Sequence, residues 1–336
     1  MPDRARRSVG RMDKGIRGVV ASHRLGVLVA GASGTIGRAA ARALAADGHD
    51  VTCVLRSSAS AREAAGVLED AGCTVRFADL ADPDTLAALF AETAPQAVMS
   101  CIASRSGSPK DARRVDYEAN LALLEATERA GAEHFVLLSA ICVQRPRLAF
   151  QHEKLRFEAR LIDSPLAHTI VRPTAFFKSL SGQVERVRAG KPFLIFGDGE
   201  LTACKPISDD DLARYLALCV SDPEKRGCIL PIGGPGPAIS LKAQGTMLCE
   251  IAGREPAFKS VPPGLFTLAS RVLGLGAPFS EWFAEKSEYA RIAHYYATES
   301  MLVLDPETGR YSAEATPEFG TDTLRAHYER LLGEKR

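Results

Sequence analysis

Short apolar runs alternate with amphipathic stretches along the chain between about residues 25 and 174. The runs lie at 26–30, 50–55, 74–77, 97–102, 134–138 and 168–171. Helical periodicity fills the gaps at 36–46, 61–71, 83–94 and 115–130. Strands buried on both faces read as continuous apolar runs, and alternation of strand and helix is typical of a parallel sheet with right-handed crossovers. The pattern therefore predicts a doubly wound α/β fold.

The alternation stops after about residue 174. Glycine and proline become frequent, as in PIGGPGP at 231–237, and helical patches are indicated at 209–220 and 240–252. In a Rossmann-type enzyme such a region covers the carboxyl ends of the strands and forms the substrate site. We predict a flexible basic leader at 1–24, a Rossmann domain at 25–230, and a smaller C-terminal substrate lobe at 231–336, with contributions from about 174–206.

The first 24 residues are rich in arginine and poor in acids. Such a segment is typical of an organelle transit peptide. A disordered basic tail, or an upstream start codon with Met12 as the alternative start, would look the same. The segment has neither a clear amphipathic pattern nor a secretory apolar core, so we favour these last two interpretations.

Composition narrows the class of protein. The 336 residues are 46% hydrophobic and 25% charged, which is ordinary for a globular protein, and the net charge of +1 argues against a nucleic-acid surface. No apolar run reaches the roughly 18 residues that span a bilayer. The eight cysteines form no CxxC pair. We expect a cytoplasmic protein with free thiols, no metal site and no iron–sulfur cluster.

A glycine-rich loop follows the first predicted strand and opens the first predicted helix. It consists of Gly31, Ala32, Ser33, Gly34, Thr35, Ile36 and Gly37. Glycines at this spacing permit a tight turn, a close approach of the backbone to a diphosphate, and close packing of the helix on the sheet. The amides and the positive end of the helix dipole then hold the diphosphate. This context predicts a dinucleotide site.

The next strand ends suggest which dinucleotide binds. NAD-binding enzymes usually place an acidic residue after the second strand. This chain has Arg56 and Ser57 there, which suit the 2′-phosphate of NADPH. The third strand is followed by Asp79 and Leu80, which we assign to the adenine edge. The fourth is followed by a segment with Cys101 and Ala103, which we place beside the nicotinamide ribose.

The expected catalytic motif of short-chain dehydrogenases is incomplete. These enzymes use a tyrosine and a lysine four residues apart, and the lysine lowers the phenol pKa for proton transfer. Here the lysine is Lys154 but the tyrosine position is Phe150. A phenyl ring transfers no proton, so ordinary carbonyl reduction is disfavoured. Lys154 is predicted to hold the nicotinamide ribose, Ser139 to orient the substrate, and Pro173 to flank the carboxamide.

Four segments resemble a known family, the NADPH-dependent divinyl chlorophyllide 8-vinyl reductases, which are atypical short-chain dehydrogenases. The segments are LLSAICV at 137–143, FQHEKLRFE at 150–158, IVRPTAFFKSL at 170–180, and FGDG at 196–199 with CKPIS at 204–208. The resemblance implies reduction of the 8-vinyl group of a divinyl (proto)chlorophyllide to ethyl with NADPH, in chlorophyll or bacteriochlorophyll biosynthesis. Alkene reduction forms no oxyanion, so it fits the missing tyrosine.

The implied substrate is a flat, largely apolar tetrapyrrole with a carboxylate. We predict that Phe176 and Phe177 stack on it and that Lys178 supplies a counter-charge. The apolar stretch 262–283 is interpreted as core of the lobe, with a lid or a peripheral contact with photosynthetic membranes as alternatives.

Two other functions fit the same features. A redox-sensing regulator of the NmrA type binds the dinucleotide on this fold, lacks the tyrosine and performs no chemistry. A reductase of another conjugated alkene, as in the isoflavone reductase group, also relies on lysine without that tyrosine.

Overall fold

The computed structural model describes residues 24–334, and its centre is a parallel sheet. The strands are β1 (Gly26–Ala30), β2 (Asp50–Leu55), β3 (Thr74–Phe77), β4 (Ala97–Ser100), β5 (His134–Leu138), β6 (Ala167–Pro173), β7 (Phe193–Phe196), β8 (Ala203–Cys204), β9 (Cys228–Ile232), β10 (Ile239–Ser240), β11 (Phe258–Val261), β12 (Val303–Leu304) and β13 (Tyr311–Ser312). Seven of them form the sheet, in the order β3-β2-β1-β4-β5-β6-β9, and all its pairings are parallel.

Helices cover both faces of the sheet. They are α1 (Thr35–Ala46), α2 (Ala59–Asp70), α3 (Pro83–Thr93), α4 (Pro109–Ala112), α5 (Asn120–Ala130), α6 (Ala149–Ile162), α7 (Phe177–Leu180), α8 (Val184–Arg188), α9 (Asp209–Ser221), α10 (Leu241–Ile251), α11 (Gly264–Gly274), α12 (Glu281–Thr298) and α13 (Leu324–Gly333). A π-helix (Arg113–Ala119) precedes α5, and a 3₁₀ helix (Ile141–Gln144) follows β5.

Alternation along β1 explains why the strand reads as a continuous apolar run. Val27 and Val29 pack on the face covered by α1, α2 and α9. Leu28 and Ala30 pack on the opposite face, beneath α3, α5 and α6. Successive side chains of a strand point to opposite faces, so a strand covered on both sides needs an apolar residue at every position. The predicted doubly wound fold is confirmed.

The sheet has one strand more than the six that the sequence predicts. β9 pairs only with β6 and contains Pro231, whose missing N–H is tolerated at a sheet edge. The domain boundary predicted at residue 230 falls inside this strand. In addition, α9 returns from the lobe region to pack on α1. The lobe is therefore interleaved with the Rossmann domain in sequence.

The lobe has its own apolar core, which unites β7, α8, α10 and α13. Phe193, Leu248 and Tyr328 are among its fully enclosed side chains. Because these residues come from 177–204 as well as from beyond 233, both segments build the lobe. Within residues 24–334, no helix has the length and apolarity needed to cross a membrane.

The apolar stretch 262–283 is not core, so that interpretation is wrong. No residue of α11 is buried, and Leu275 and Phe279 just beyond it are 78% and 88% exposed. Trp282 is also more than half exposed. An amphipathic pattern marks an apolar helix face but cannot say whether another element covers that face. The predicted leader at 1–24 lies outside the described residues except for Arg24, which pairs with Asp50.

Candidate active site

The glycine loop lies between β1 and β4, where the order of the strands in the sheet reverses. Gly31 has a φ of +85°, and a Cβ built there would lie 2.7 Å from the carbonyl oxygen of Cys101, which follows β4. A Cβ on Gly37 would run into the backbone of Gly31. Gly31 therefore permits the tight turn beside β4, and Gly37 permits α1 to pack closely on that turn. Gly34 is exposed, and without a side chain there the backbone of the loop is open to a diphosphate at this topological switch point.

The first turn of α1 is open to an anion. The cap residue Gly34 has no side chain to occupy the first amides, and the first turn carries no acidic residue. The Nζ atom of Lys178 lies 2.8 Å from the Oγ1 atom of Thr35. The helix dipole, the amides and this ammonium all favour an anion here. Lys178 thus lies beside the glycine loop, and its predicted role as the substrate's counter-charge remains a prediction.

The remaining loop residues differ in what they expose. Ser33 is exposed, whereas the side chain of Ile36 packs in the core beneath α1, so only its backbone faces the site. Arg56 and Ser57 are both exposed directly after β2, the neighbour of β1. A guanidinium at this position suits the 2′-phosphate of NADPH. The residues present therefore fit the phosphorylated dinucleotide.

The other predicted cofactor contacts lie at strand ends along the same edge. Asp79 is exposed and its Oδ1 atom accepts a hydrogen bond from the amide of Ala81 at 3.0 Å, while the Leu80 side chain is buried. Burial raises the pKa of the Cys101 thiol to about 12. Cys101 therefore presents a neutral thiol and a backbone to this edge. Ala103 is exposed, and Pro173 is buried at the end of β6.

Lys154 is held by a buried carboxylate that the sequence analysis missed. Its Nζ atom lies 3.0 Å from the Oδ1 atom of Asp116, and the two side chains are 11% and 0% exposed. The same oxygen accepts the amide of Ser104 at 3.3 Å, and Oδ2 has no hydrogen-bond partner among the described residues. In sequence Asp116 looks like a surface acid on an amphipathic helix. The π-helix turns it inward, towards Lys154.

The hydroxyl of Ser139 belongs to a buried polar cluster. Its hydroxyl donates to Glu158, whose carboxylate also pairs with Arg172. Ser139 and Glu158 are almost fully buried. A substrate contact would require the serine hydroxyl to leave this carboxylate, so the substrate-orienting role of Ser139 remains a prediction.

The two aromatic residues predicted to stack on the substrate are packed elsewhere. Phe177 is 3% exposed, lies in the core of the lobe, and has its ring centroid 5.4 Å from that of His327. Phe176 is half-buried against the core beneath α1. The stacking role predicted for Phe177 is wrong, because no face of its ring is free. Apolar residues after a strand do not reveal from sequence which core they join.

The residue in place of the superfamily tyrosine contacts the far part of the lobe. Phe150 packs in a small apolar cluster with Cys142, Tyr295 and Ile292, the last two from α12. The start of α6 is thereby covered by α12. In residues 24–334 no group of three or more His, Cys, Asp or Glu side chains is arranged to hold a metal ion.

Comparison with known proteins agrees with this site. Residues 31–223 match the family model described as NAD(P)H-binding. The chain is 48% identical over 318 residues to the chloroplastic divinyl chlorophyllide a 8-vinyl-reductase of Oryza sativa subsp. indica, a match that covers 92% of this chain and 78% of that protein. The corresponding Arabidopsis thaliana protein is 45% identical, with coverage of 92% and 77%.

Solved structures support the fold alone. Leucoanthocyanidin reductase from Vitis vinifera, solved as a binary complex with NADPH, has a TM-score of 0.68 at 16% identity, covering 92% of this chain and 99% of that one. The Escherichia coli quinone oxidoreductase QOR2 complexed with NADPH gives 0.65 at 17% identity, covering 91% and 100%. Sequence identity over nearly the whole chain is the stronger finding, and it shows that this chain belongs to the divinyl chlorophyllide a 8-vinyl-reductase family.

Proposed function

We propose that this protein reduces the 8-vinyl group of divinyl (proto)chlorophyllide a to an ethyl group with NADPH. The observation that carries this proposal is the identity of 45% to 48% with reductases of that name over 92% of the chain. The site agrees with it, because Lys154 is present without the tyrosine that carbonyl reduction needs.

The chain's own residues divide the work of binding. The backbone of the glycine loop at Gly34, the amides at the start of α1 and the ammonium of Lys178 bind the diphosphate. Arg56 binds the 2′-phosphate. Lys154 donates hydrogen bonds to the nicotinamide ribose, and Asp116 holds its ammonium in place. When bound, NADPH supplies the hydride.

The absence of a tyrosine at Phe150 is chemically consistent with an alkene substrate. Carbonyl reduction places charge on one oxygen, which a neighbouring phenol must protonate. Reduction of a conjugated vinyl group spreads the charge over the macrocycle instead. Lys154 therefore needs only to orient the ribose, and the group that donates the proton need not occupy position 150.

The test is a spectroscopic assay. Purified protein is mixed with NADPH and divinyl chlorophyllide, and the Soret band is followed. We expect a shift to the monovinyl spectrum, and strongly reduced turnover in Lys154→Ala compared with the exposed-lysine control Lys259→Ala. An unchanged spectrum despite tight NADPH binding would instead favour the regulator, and turnover of a different conjugated alkene alone would favour the other reductase.

We further propose that the protein is cytoplasmic and contacts pigment-bearing membranes peripherally through the exposed apolar residues of α11 and of the segment just beyond it, which includes Leu275 and Phe279. Eight free cysteines support a reducing compartment. A helix with an exposed apolar face and a neighbouring tryptophan is suited to binding at a lipid interface. Flotation with anionic vesicles should recover the protein, and Leu275→Ser with Phe279→Ser should release it, whereas Leu201→Ser should not. No recovery of the wild type would contradict this contact.

A further inference from the structure

Two hydrogen bonds join helix α12 to the start of the catalytic helix α6. The buried carboxylate of Glu288 accepts a hydrogen bond from the amide of Ala149 at 3.0 Å, and the guanidinium of Arg291 donates to the carbonyl of Arg147 at 2.8 Å. Glu288 is 3% exposed. These bonds fix which face of α12 looks towards α6.

One turn further along α12, the same face of the helix contacts Phe150, which occupies the position of the superfamily tyrosine. A Cβ built on Gly107 would lie 3.0 Å from the Cδ1 atom of Ile292 and 3.3 Å from the Cδ1 atom of Phe150. The side chain of Ile292 from α12 and that of Phe150 from α6 therefore both pack against Gly107. Ile292 follows Glu288 by four residues, so both lie on one stripe of the helix.

Tyr296 continues that stripe by one more turn. Its hydroxyl lies 4.0 Å from the Sγ atom of Cys142, in the 3₁₀ helix after β5. Its neighbour Tyr295 is differently placed: that side chain is 3% exposed and its hydroxyl is bonded to the carbonyls of Cys142 and Arg145. Tyr295 anchors the helix, whereas Tyr296 is 44% exposed and has no hydrogen-bond partner but the thiol among the described residues.

Cys142 links this phenol to the catalytic helix. Its carbonyl accepts a hydrogen bond from the side chain of Gln151 at 3.1 Å, one turn before Lys154. The charge of Lys154 is near enough to lower the pKa of the thiol, although burial outweighs it and leaves that pKa raised. A phenol is protonated at neutral pH. The Cys142 thiol thus lies near the Tyr296 phenol and within the influence of the Lys154 ammonium.

We propose that Tyr296 is the active-site phenol of this reductase, supplied from the lobe, and that it donates the proton which completes vinyl reduction. The proposal rests on the proposed function. The C4–H bond of the dihydronicotinamide breaks, and its hydride forms a C–H bond at the terminal vinyl carbon and leaves NADP⁺, while the π electrons move to the carbon next to the ring. The O–H bond of Tyr296 then breaks and its proton forms the second C–H bond. A proton from the solvent then restores the phenol.

The test compares Tyr296→Phe with Tyr289→Phe, a matched control on the same helix that is 68% exposed. General acids contribute about 10²- to 10⁴-fold to rates, so we expect kcat of Tyr296→Phe to fall about 100-fold with KM little changed. The NADPH dissociation constant, from nicotinamide fluorescence, should stay within about twofold, since the glycine loop is untouched. Small weak acids such as imidazolium should restore part of kcat.

The outcomes separate the two proposals. If wild type and Tyr289→Phe reduce the vinyl group and Tyr296→Phe retains more than half of kcat, Tyr296 is not the proton donor. A lower kcat that no weak acid restores, with weakened binding of NADPH, would make the residue structural and would also overturn the proposal. If wild type binds NADPH but reduces no divinyl substrate, the proposed function fails, and the role of Tyr296 with it.

Discussion

Replacing Asp116 by Asn should destabilise the protein because it leaves the Lys154 ammonium buried without a charged partner. The side chains of Asp116 and Lys154 are 0% and 11% exposed and their charged atoms lie 3.0 Å apart. With an effective dielectric constant of about 20, the attraction at that distance is about 5 kcal/mol. Removing one partner of a buried pair costs about 3–5 kcal/mol, because the other charge stays buried. Asparagine keeps an acceptor oxygen, so we expect about 3 kcal/mol.

A double-mutant cycle measured by urea denaturation without cofactor tests this reasoning. The variants are Asp116→Asn, Lys154→Met and the combination. We expect the double variant to be less destabilised than the sum of the two single variants by about 2–3 kcal/mol, since it buries no lone charge. Effects that add within about 0.5 kcal/mol would refute the coupling. The exposed pair Lys110 and Glu281, 2.7 Å apart, is the control, with less than about 1 kcal/mol expected.

Further predictions concern the cofactor and pH. Arg56→Ala should weaken NADPH binding about 10- to 100-fold and leave NADH nearly unchanged in fluorescence titrations, because a charged hydrogen bond contributes about 1.5–3 kcal/mol; equal losses would contradict the 2′-phosphate assignment. Lys178→Ala should weaken both dinucleotides alike, and a change in neither would remove it from the diphosphate site. Gly31→Ala places a Cβ 2.7 Å from the Cys101 carbonyl oxygen at a φ of +85°, so it should lower the thermal midpoint and abolish binding in calorimetry. Burial lowers the pKa of His134 from 6.5 to about 4. Between these pH values the unfolded chain binds the proton and the folded chain does not, so the free energy of unfolding should rise with pH. His134→Gln should flatten this rise, and an unchanged slope would argue against the assignment of the rise to His134.

The glycine loop and the alternation of strands and helices were predictable because they are local. The turn after β1 requires glycine at particular positions, and a strand covered on both faces requires apolar residues throughout. β9 was missed because it is an edge strand interrupted by Pro231 and only half-buried, so its pattern resembles a loop. Its partner β6 makes it a strand.

The roles of Lys178 and Phe177 show where local reasoning ended. Both follow β6, and the chain there turns so that the ammonium meets Thr35 while the ring enters the core of the lobe. Sequence gives the residue type but not the direction that this turn imposes. Lys154 was found because its spacing from Phe150 is local to one helix.

By itself, the sequence determined the doubly wound fold, the glycine-rich dinucleotide loop and the membership of a reductase family, because each depends on residues that are neighbours in the chain. Only the tertiary structure decided which distant side chains meet around Lys154 and Cys142. Asp116 reaches Lys154 from a π-helix 38 positions earlier, and Tyr296 reaches Cys142 across 154 positions. Burial and the packing of one helix on another create these contacts, and neither leaves a periodic trace in the chain.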